Sequence, residues 1–439
     1  MRFLALLDSA KDGSNQRGPV ANLVIDRNES VFESAYNQLG TLPRSQAVAT
    51  RKLRVQFAAQ GAMEIGEDAG GLSREFFSVL SSELALSDLF VVSGVNLCAA
   101  PILGEPAFSP RVLPDIPELS LVLDEAPKEV VPDRMTGSAW ALRAALTGAE
   151  VEALVSGSRS IKSRKLEFVG RLLGFALRAG IPMPLPLAPS CLAGLLGLDE
   201  ELDAARLMSA LKEQDPALFQ GLKSILEADE PQELGLVFTA SDEGGAEVEL
   251  CADGADVEVT AANREAFVCA YVRERLRIGA PESLAMRAGF VTGTGGPVAA
   301  KALSIFSAQD LGHLLCGAEE ISVEDWRTHT KFVAYDQSSE QVGWFWQSLA
   351  GFSQPERCQL LKFVTGSAVL PHGGWGGYKN QQGERLKCTI SKDRGGAARL
   401  PSASTCFAQL NLPEYGSAEE LDTKLRLAVE LGQEGFGLV

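Results

Sequence analysis

The run Leu400-Pro401-Ser402-Ala403-Ser404-Thr405-Cys406-Phe407, continuing to Leu410-Asn411-Leu412-Pro413-Glu414-Tyr415, constrains this chain more than any other stretch. Small polar residues precede the cysteine and a proline-terminated apolar run comes after it, the pattern of a short loop opening into a strand. Phe407, Leu410 and Leu412 can anchor the downstream strand while the thiol is held near the surface, which is a setting for a nucleophile. A half-buried structural cysteine fits the same residues, because cysteine commonly packs as a small apolar group. The rest of the chain has to decide between the two.

With 439 residues, 46% of them hydrophobic, the chain can bury two or three domain cores. Its formal charge of −17, with no segregated basic run, argues against nucleic acid and for a basic protein partner. Phe3-Leu4-Ala5-Leu6-Leu7 is too short and too weakly flanked by charge for a secretory signal. No apolar run reaches membrane-spanning length. The expectation is a soluble intracellular protein in the cytoplasm, with the nucleus open as well. Eight cysteines stand singly at 98, 191, 251, 269, 316, 358, 388 and 406, without a C-x-x-C pair, and the only histidines are His313, His329 and His372. Neither set suits a zinc site or a metal hydrolase, so no metal and no cofactor are expected.

Residues 1–20 read as a flexible lead-in. Strands are expected at Leu23-Val24-Ile25 and Leu53–Phe57, with a helix from Ser30 to Leu39 between them. An acidic, glycine-containing loop from Gly61 closes on Asp68-Ala69-Gly70-Gly71 and opens a helix bearing Leu72, Phe76, Leu80 and Leu84 on one face. Glu67 and Asp68, and the lack of a following Lys-Ser or Lys-Thr, turn a phosphate-loop reading into one of a tight turn. Arg74 and Glu75 are then available for buried ion pairing. Residues 99–160 are proline-rich and aperiodic, an irregular insertion. A helix at Lys165–Leu177 is stopped by the proline-rich stretch after Ile181.

A compact unit occupies about 199–250. Asp215-Pro216 opens a helix with Leu218, Phe219, Leu222, Ile225 and Leu226 on a wide apolar face. Strands are expected at Leu234–Phe238, Val248–Leu250 and Val257–Val259, the first two joined by the turn Asp242–Gly245. The exposed apolar residues of such a unit fit either plain core or a docking surface. Further helices start after Asn263 and Ser307, the second ending at Gly317. The polar segment 333–339 reads as a linker. Beyond it, Ser353-Gln354-Pro355-Glu356 and Ser417-Ala418-Glu419-Glu420 read as capping boxes.

Taken together, these residues resemble the HECT-type ubiquitin ligases. The likeness is carried by Leu400-Pro-x-x-x-Thr405-Cys406-Phe407, Leu410-x-Leu412-Pro413-x-Tyr415, Phe363-Val-Thr-Gly-Ser367 and the terminal Gly435-Phe436-Gly437-Leu438. Upstream, Asp68-Ala-Gly-Gly-Leu with Arg74-Glu75-Phe76-Phe77, Phe168-Val-Gly-Arg171, Asp215-Pro-x-Leu218-Phe219, and Leu315-Cys-Gly317 with Asp325-Trp326 fall in family order. The resemblance covers roughly residues 22–439 and implies a two-lobed α+β fold. A larger, mostly helical N-lobe with small β elements would span 21–332. A hinge at 333–339 would lead to a smaller α/β C-lobe, 340–439, carrying the catalytic cysteine.

It further implies that Cys406 accepts ubiquitin as a thioester from a ubiquitin-conjugating enzyme and passes it to a lysine of a protein substrate. A thiol suits both steps, since a thiolate attacks a thioester at little net cost and leaves readily. Thr405 would stabilise the tetrahedral oxyanion, and Phe436 matches the phenylalanine implicated in positioning the lobe. Leu218, Leu222 and Leu234 fall where the family's contacts to the conjugating enzyme lie. The chain departs from the family pattern at Ser404, usually histidine, with His372, Glu414 or the chain terminus as stand-ins. The loop after Phe57 is longer, and 99–160 matches poorly and takes no role. Two rival readings are a catalytically weak module that binds conjugating enzyme and ubiquitin, and a cysteine hydrolase using His329 or His372 as base.

Overall fold

The computed structural model describes residues 20–50, 52–59, 62–63, 70–93, 96–99, 161–197, 204–241, 247–276, 280–303, 305–318, 320–380 and 383–432. The expected lead-in apart from Val20, the insertion apart from Ala99, Asp68, the turn Asp242–Gly245 and Phe436 lie outside the described residues. The chain divides into two compact units, one drawn from 1–100, 164–196 and 285–439, the other from 101–163 and 197–284. The expected docking region thus falls in a unit of its own.

The first unit opens with Val20–Asp26 (β1) lying parallel to Lys52–Ala59 (β2), with Ala62–Met63 (β3) antiparallel beyond it. Leu23, Ile25, Val55 and Phe57 alternate onto one buried face, as the pleat requires. Ser30 caps Val31–Leu39 (α1), its hydroxyl accepting from the Glu33 N–H at 3.0 Å. β1 is the outer strand, and Gln38 of α1 closes it at Val24. The Val24 N–H donates to Gln38 Oε1 at 3.0 Å, and Gln38 Nε2 donates to the Val24 carbonyl at 2.6 Å. After Arg44–Ala49 (α2), Gly70 at φ 121° makes the turn that starts Gly71–Ala85 (α3). Phe76, Leu80 and Leu84 of α3 are fully buried. A hairpin, Phe90–Ser93 (β4) with Asn96–Ala99 (β5), precedes the helices Ile161–Ala179 (α4) and Pro189–Leu196 (α5).

The second unit packs Ala204–Gln214 (α6), Pro216–Glu227 (α7) and Arg264–Arg275 (α8) around Leu207, Leu211, Leu222, Phe238, Phe267 and Val272. Asp215 caps α7 through the Leu218 N–H at 3.0 Å, with Pro216 in the first turn. Thr239–Ser241 (β6) pairs antiparallel with Glu247–Glu249 (β7). The strand expected at 234–238 starts late. Pro231–Leu234 coils into a single 3-10 turn and Gly235 adopts the left-handed φ of 61°, so the extended backbone begins only after it. The expected third strand shrinks to one bridge, Val237 with Glu258.

The chain re-enters the first unit through Pro281–Thr294 (α9), Pro297–Leu303 (α10) and Ala308–Cys316 (α11). Where α9 crosses α4, a β-carbon on Gly289 would lie 1.7 Å from the Glu167 carbonyl oxygen, and one on Gly293 2.1 Å from that of Arg171. Only glycine lets these backbones touch. The reciprocal Ser307–Asp310 capping box opens α11, and Gly317 ends it at φ 84°. Ala318 then donates to the Leu370 carbonyl at 2.9 Å.

From Ile321 onward a single core forms. Val323–Thr328 (α12), Thr330–Val333 (β8), Glu340–Gly351 (α13), Gln354–Thr365 (α14), Cys388–Asp393 (β9), Ser402–Ser404 (β10), Gln409–Pro413 (β11) and Ala418–Leu431 (α15) surround it. The sheet order is β10-β11-β9-β8, with β9 parallel to both its neighbours and β10 antiparallel to β11. Ile321 and Trp326 are buried in the same cluster as Phe345, Leu361, Ile390, Leu410 and Leu425. The segment 333–339, expected as the hinge, therefore joins two elements of one packed body. The cysteine-bearing body begins near Ile321, and its tie to the preceding helix runs through Gly317 and Ala318. The Ser353–Glu356 capping box forms in full. At α15 only half forms: Ser417 accepts from the Glu420 N–H, while the Glu420 carboxylate reaches the N–H of Gly416.

Candidate active site

Cys406 is the middle residue of a 3-10 turn, Thr405–Phe407, that links β10 to β11. The outgoing strand, β11, is firmly held. Leu410 and Leu412 are fully buried, and β11 pairs with β9 from Gln409 to Pro413. Ala408 closes the turn in the left-handed region at φ 49°, and its carbonyl accepts from the Thr389 N–H at 2.9 Å. A tight turn on a rigid strand pair leaves Cys406 half-buried and pushes the Phe407 ring out, 64% exposed. Cys406 is thus partly accessible while its backbone is fixed, the geometry a nucleophile needs. Ser404, two residues earlier, pairs with Gln409 across the hairpin.

The other side of the turn meets the start of α3. A β-carbon on Gly71 would stand 2.8 Å from both the Cys406 nitrogen and Thr405 Oγ1, and one on Gly366, the left-handed cap of α14, 2.9 Å from the Gly71 carbonyl oxygen. Thr405 therefore faces the first turn of α3, whose N-cap Gly70 has no side chain to cap it. Of the ion pairs expected from Arg74 and Glu75, one forms among the described residues: Arg27 Nη1 contacts Glu75 Oε1 at 2.6 Å, with Glu75 6% exposed. Arg74 turns instead to the cysteine-bearing body. Its guanidinium lies 4.3 Å from the centroid of the Tyr378 ring and donates through Nη2 to the Lys379 carbonyl at 2.7 Å. Burial pushes the Tyr378 phenol up to about 12, so the ring beside Arg74 stays neutral. Sequence pattern gives no sign of this meeting of α3 with the cysteine turn beyond the Gly70-Gly71 pair, which by itself reads only as a tight turn.

The chain terminus lies outside the described residues, while the other stand-ins, His372 and Glu414, and His329, the further histidine of the hydrolase reading, have partners of their own. His329 Nδ1 lies 3.0 Å from Asp325 Oδ1 on its own helix, His372 stacks on His313 with ring centroids 6.2 Å apart, and Glu414 pairs with Lys392 at 2.5 Å. Among the described residues no group of three or more His, Cys, Asp or Glu side chains is arranged to hold a metal, and no helix is long and apolar enough to cross a membrane.

In the second unit, Leu218, Leu222, Ile225, Leu236, Val237 and Tyr271 line a groove of about 460 Å³. The three leucines named from sequence differ in kind. Leu218 is half-buried, Leu234 is 52% exposed beside the groove residue Gly235, and Leu222 is 3% exposed, at once groove floor and core.

A cysteine on a strand-bracketed turn, set on a small α/β body at the end of a mostly helical chain, is the arrangement expected of a thioester-forming transferase. The family model described as HECT-domain (ubiquitin-transferase) matches residues 138–439, and the chain belongs to that family. It is 28% identical to E3 ubiquitin-protein ligase TOM1 of Saccharomyces cerevisiae over 429 residues, 97% of this chain and 11% of that protein. To E3 ubiquitin-protein ligase HUWE1 of Mus musculus it is 28% identical over 420 residues, 94% of this chain and 8% of that protein. To E3 ubiquitin-protein ligase RSP5 of Saccharomyces cerevisiae the figures are 27% over 418 residues, 94% of this chain and 43% of that protein. The chain spans about a tenth of the length of TOM1 and HUWE1 and under half of RSP5.

Proposed function

We propose that this chain takes ubiquitin from a ubiquitin-conjugating enzyme as a thioester on Cys406 and delivers it to a lysine of a protein substrate, and that it does so in the cytoplasm. The observation that carries the reading is the presentation of Cys406, half-buried on a turn whose outgoing strand, β11, is anchored by the fully buried Leu410 and Leu412. In the first step the Cys406 thiolate attacks the loaded enzyme's thioester carbonyl, and that enzyme's cysteine leaves as a thiolate. In the second a lysine amine attacks the new thioester, the C–N bond forms, Cys406 leaves as a thiolate and the amine's proton passes to solvent. Thr405, against the first turn of α3, is the side chain we assign to the tetrahedral oxyanion.

The groove of the second unit is the docking surface we assign to the conjugating enzyme, with Leu218 and Leu234 as outward contacts and Leu222 as its floor. The swing that lets one cysteine serve two partners is assigned to the connection at Gly317 and Ala318. The test is incubation with a ubiquitin-loaded conjugating enzyme. A thiol-reducible ubiquitin adduct should form on the parent and be lost in Cys406→Ala. Adduct retained in that variant, or cleavage of a ubiquitin ester without any conjugating enzyme, would overturn the reading.

A further inference from the structure

Among the described residues, no carboxylate faces the buried charge of Arg74. It is 5% exposed, and its contacts are a backbone carbonyl and an aromatic face, while the neighbouring Glu75 is taken by Arg27. Among the described residues its Nη1 has no hydrogen-bond partner. A buried guanidinium left this way costs stability, and hydrophobic packing alone would be served better by an apolar side chain. The cost is spent on a contact between two parts of the first unit: α3, which comes after the amino-terminal sheet, and the body that carries Cys406.

The contact reaches the nucleophile through a short rigid path. Arg74 grips Tyr378 and Lys379; the Tyr378 carbonyl accepts from the Leu386 N–H at 3.0 Å; β9 starts at Cys388; and the Thr389 N–H holds the carbonyl of Ala408, the residue that closes the Cys406 turn. Three residues before Arg74, Gly71 touches Thr405 and the Cys406 nitrogen with no room for a β-carbon. Both ends of this contact therefore fix the same turn.

We propose that Arg74 is a positioning residue for delivery of ubiquitin from Cys406: by pinning the Tyr378–Lys379 turn to the first turn of α3, it seats the Cys406 turn against the start of that helix, and the seated arrangement is the one in which an acceptor amine is acylated. The inference rests on the thioester reading above. Delivery is the step that needs the seat. Charging is an exchange between two thioesters with a thiolate as nucleophile, whereas delivery uses a neutral amine and builds an oxyanion and an ammonium together. That transition state gains more from a fixed carbonyl beside the positive end of a helix.

The experiment is a single-turnover pulse and chase on the whole chain: charging by a ubiquitin-loaded conjugating enzyme, then discharge to free lysine, each followed as the thiol-reducible adduct. In Arg74→Ala the ratio of the discharge to the charging rate constant should fall at least about tenfold, the scale of a misplaced reacting group. Arg74→Lys should fail to restore it, because an ammonium cannot both stack on Tyr378 and reach the Lys379 carbonyl as the planar fork does. Gly71→Ala leaves the helix intact but pushes on Cys406, and should lower the same ratio. A purely structural role would lower both rate constants together and leave the ratio unchanged; that result, or full rescue by lysine, overturns the proposal. A parent chain that never charges would overturn the thioester reading itself, which separates the two failures.

Discussion

The Tyr335 hydroxyl donates to the Leu412 carbonyl at 2.9 Å, which fastens the segment between β8 and α13 to the strand leading out of the Cys406 turn. Tyr335→Phe removes that bond and keeps the ring. It should cost about 1 kcal/mol of stability, measured as a lowered urea midpoint, and leave charging and discharge of Cys406 unchanged. A marked change in either rate would return the hinge to 333–339.

The groove assigned to the conjugating enzyme gives a pair of substitutions with opposite signatures. Leu234→Asp, at a 52% exposed position, should leave the unfolding transition in place and slow charging by roughly tenfold, the scale of one lost apolar anchor. Leu222→Ala, in the core of the same unit, should destabilise by about 2–5 kcal/mol. Urea titration beside a charging assay distinguishes them. Equal charging by Leu234→Asp would take that leucine out of the docking surface.

Alkali should loosen the cysteine-bearing body in a defined window. Tyr335 is pushed up to about 12 by burial and then by Glu414 and Asp393, and buried Tyr378 also to about 12, against an ordinary value of 10.0. The unfolded phenols ionise first, so the stability these groups contribute is whole below pH 10 and is lost as the pH rises through about 12. Urea midpoints should fall across that window, with the tyrosinate absorbance of these residues rising together with unfolding. Ionisation of both residues well before unfolding would contradict it.

Gly289→Ala sets two effects against each other. Alanine is the better helix former by about 1 kcal/mol, yet its β-carbon would lie 1.7 Å from the Glu167 carbonyl oxygen. The clash should win by roughly 1–3 kcal/mol net destabilisation. A raised melting temperature would show that α4 and α9 can move apart freely.

Local chemistry was legible in the sequence. Ser30, Asp215, Ser307 and Ser353 start the helices expected of them, and the proline-bounded run placed Cys406 at the mouth of a strand, because caps and turns are decided by residues only a few positions apart. The segment 333–339 misled because polarity marks a loop without saying whether its two ends share a core; Trp326 and Phe345 do share one. Leu234–Phe238 looked like a strand by composition, and Gly235 in a left-handed turn overruled it. The approach of Gly71 and Arg74 to the cysteine turn joins distant parts of the chain and depends on the absence of a side chain, which no periodicity records.

Gln38 lends its side-chain amide to Val24 as though it were one residue of a further strand. The rim of β1 is thereby occupied midway along its length by the protein's own helix, so an incoming strand from another molecule cannot zip onto it without first prising that amide away. This is protection against being templated into aggregates.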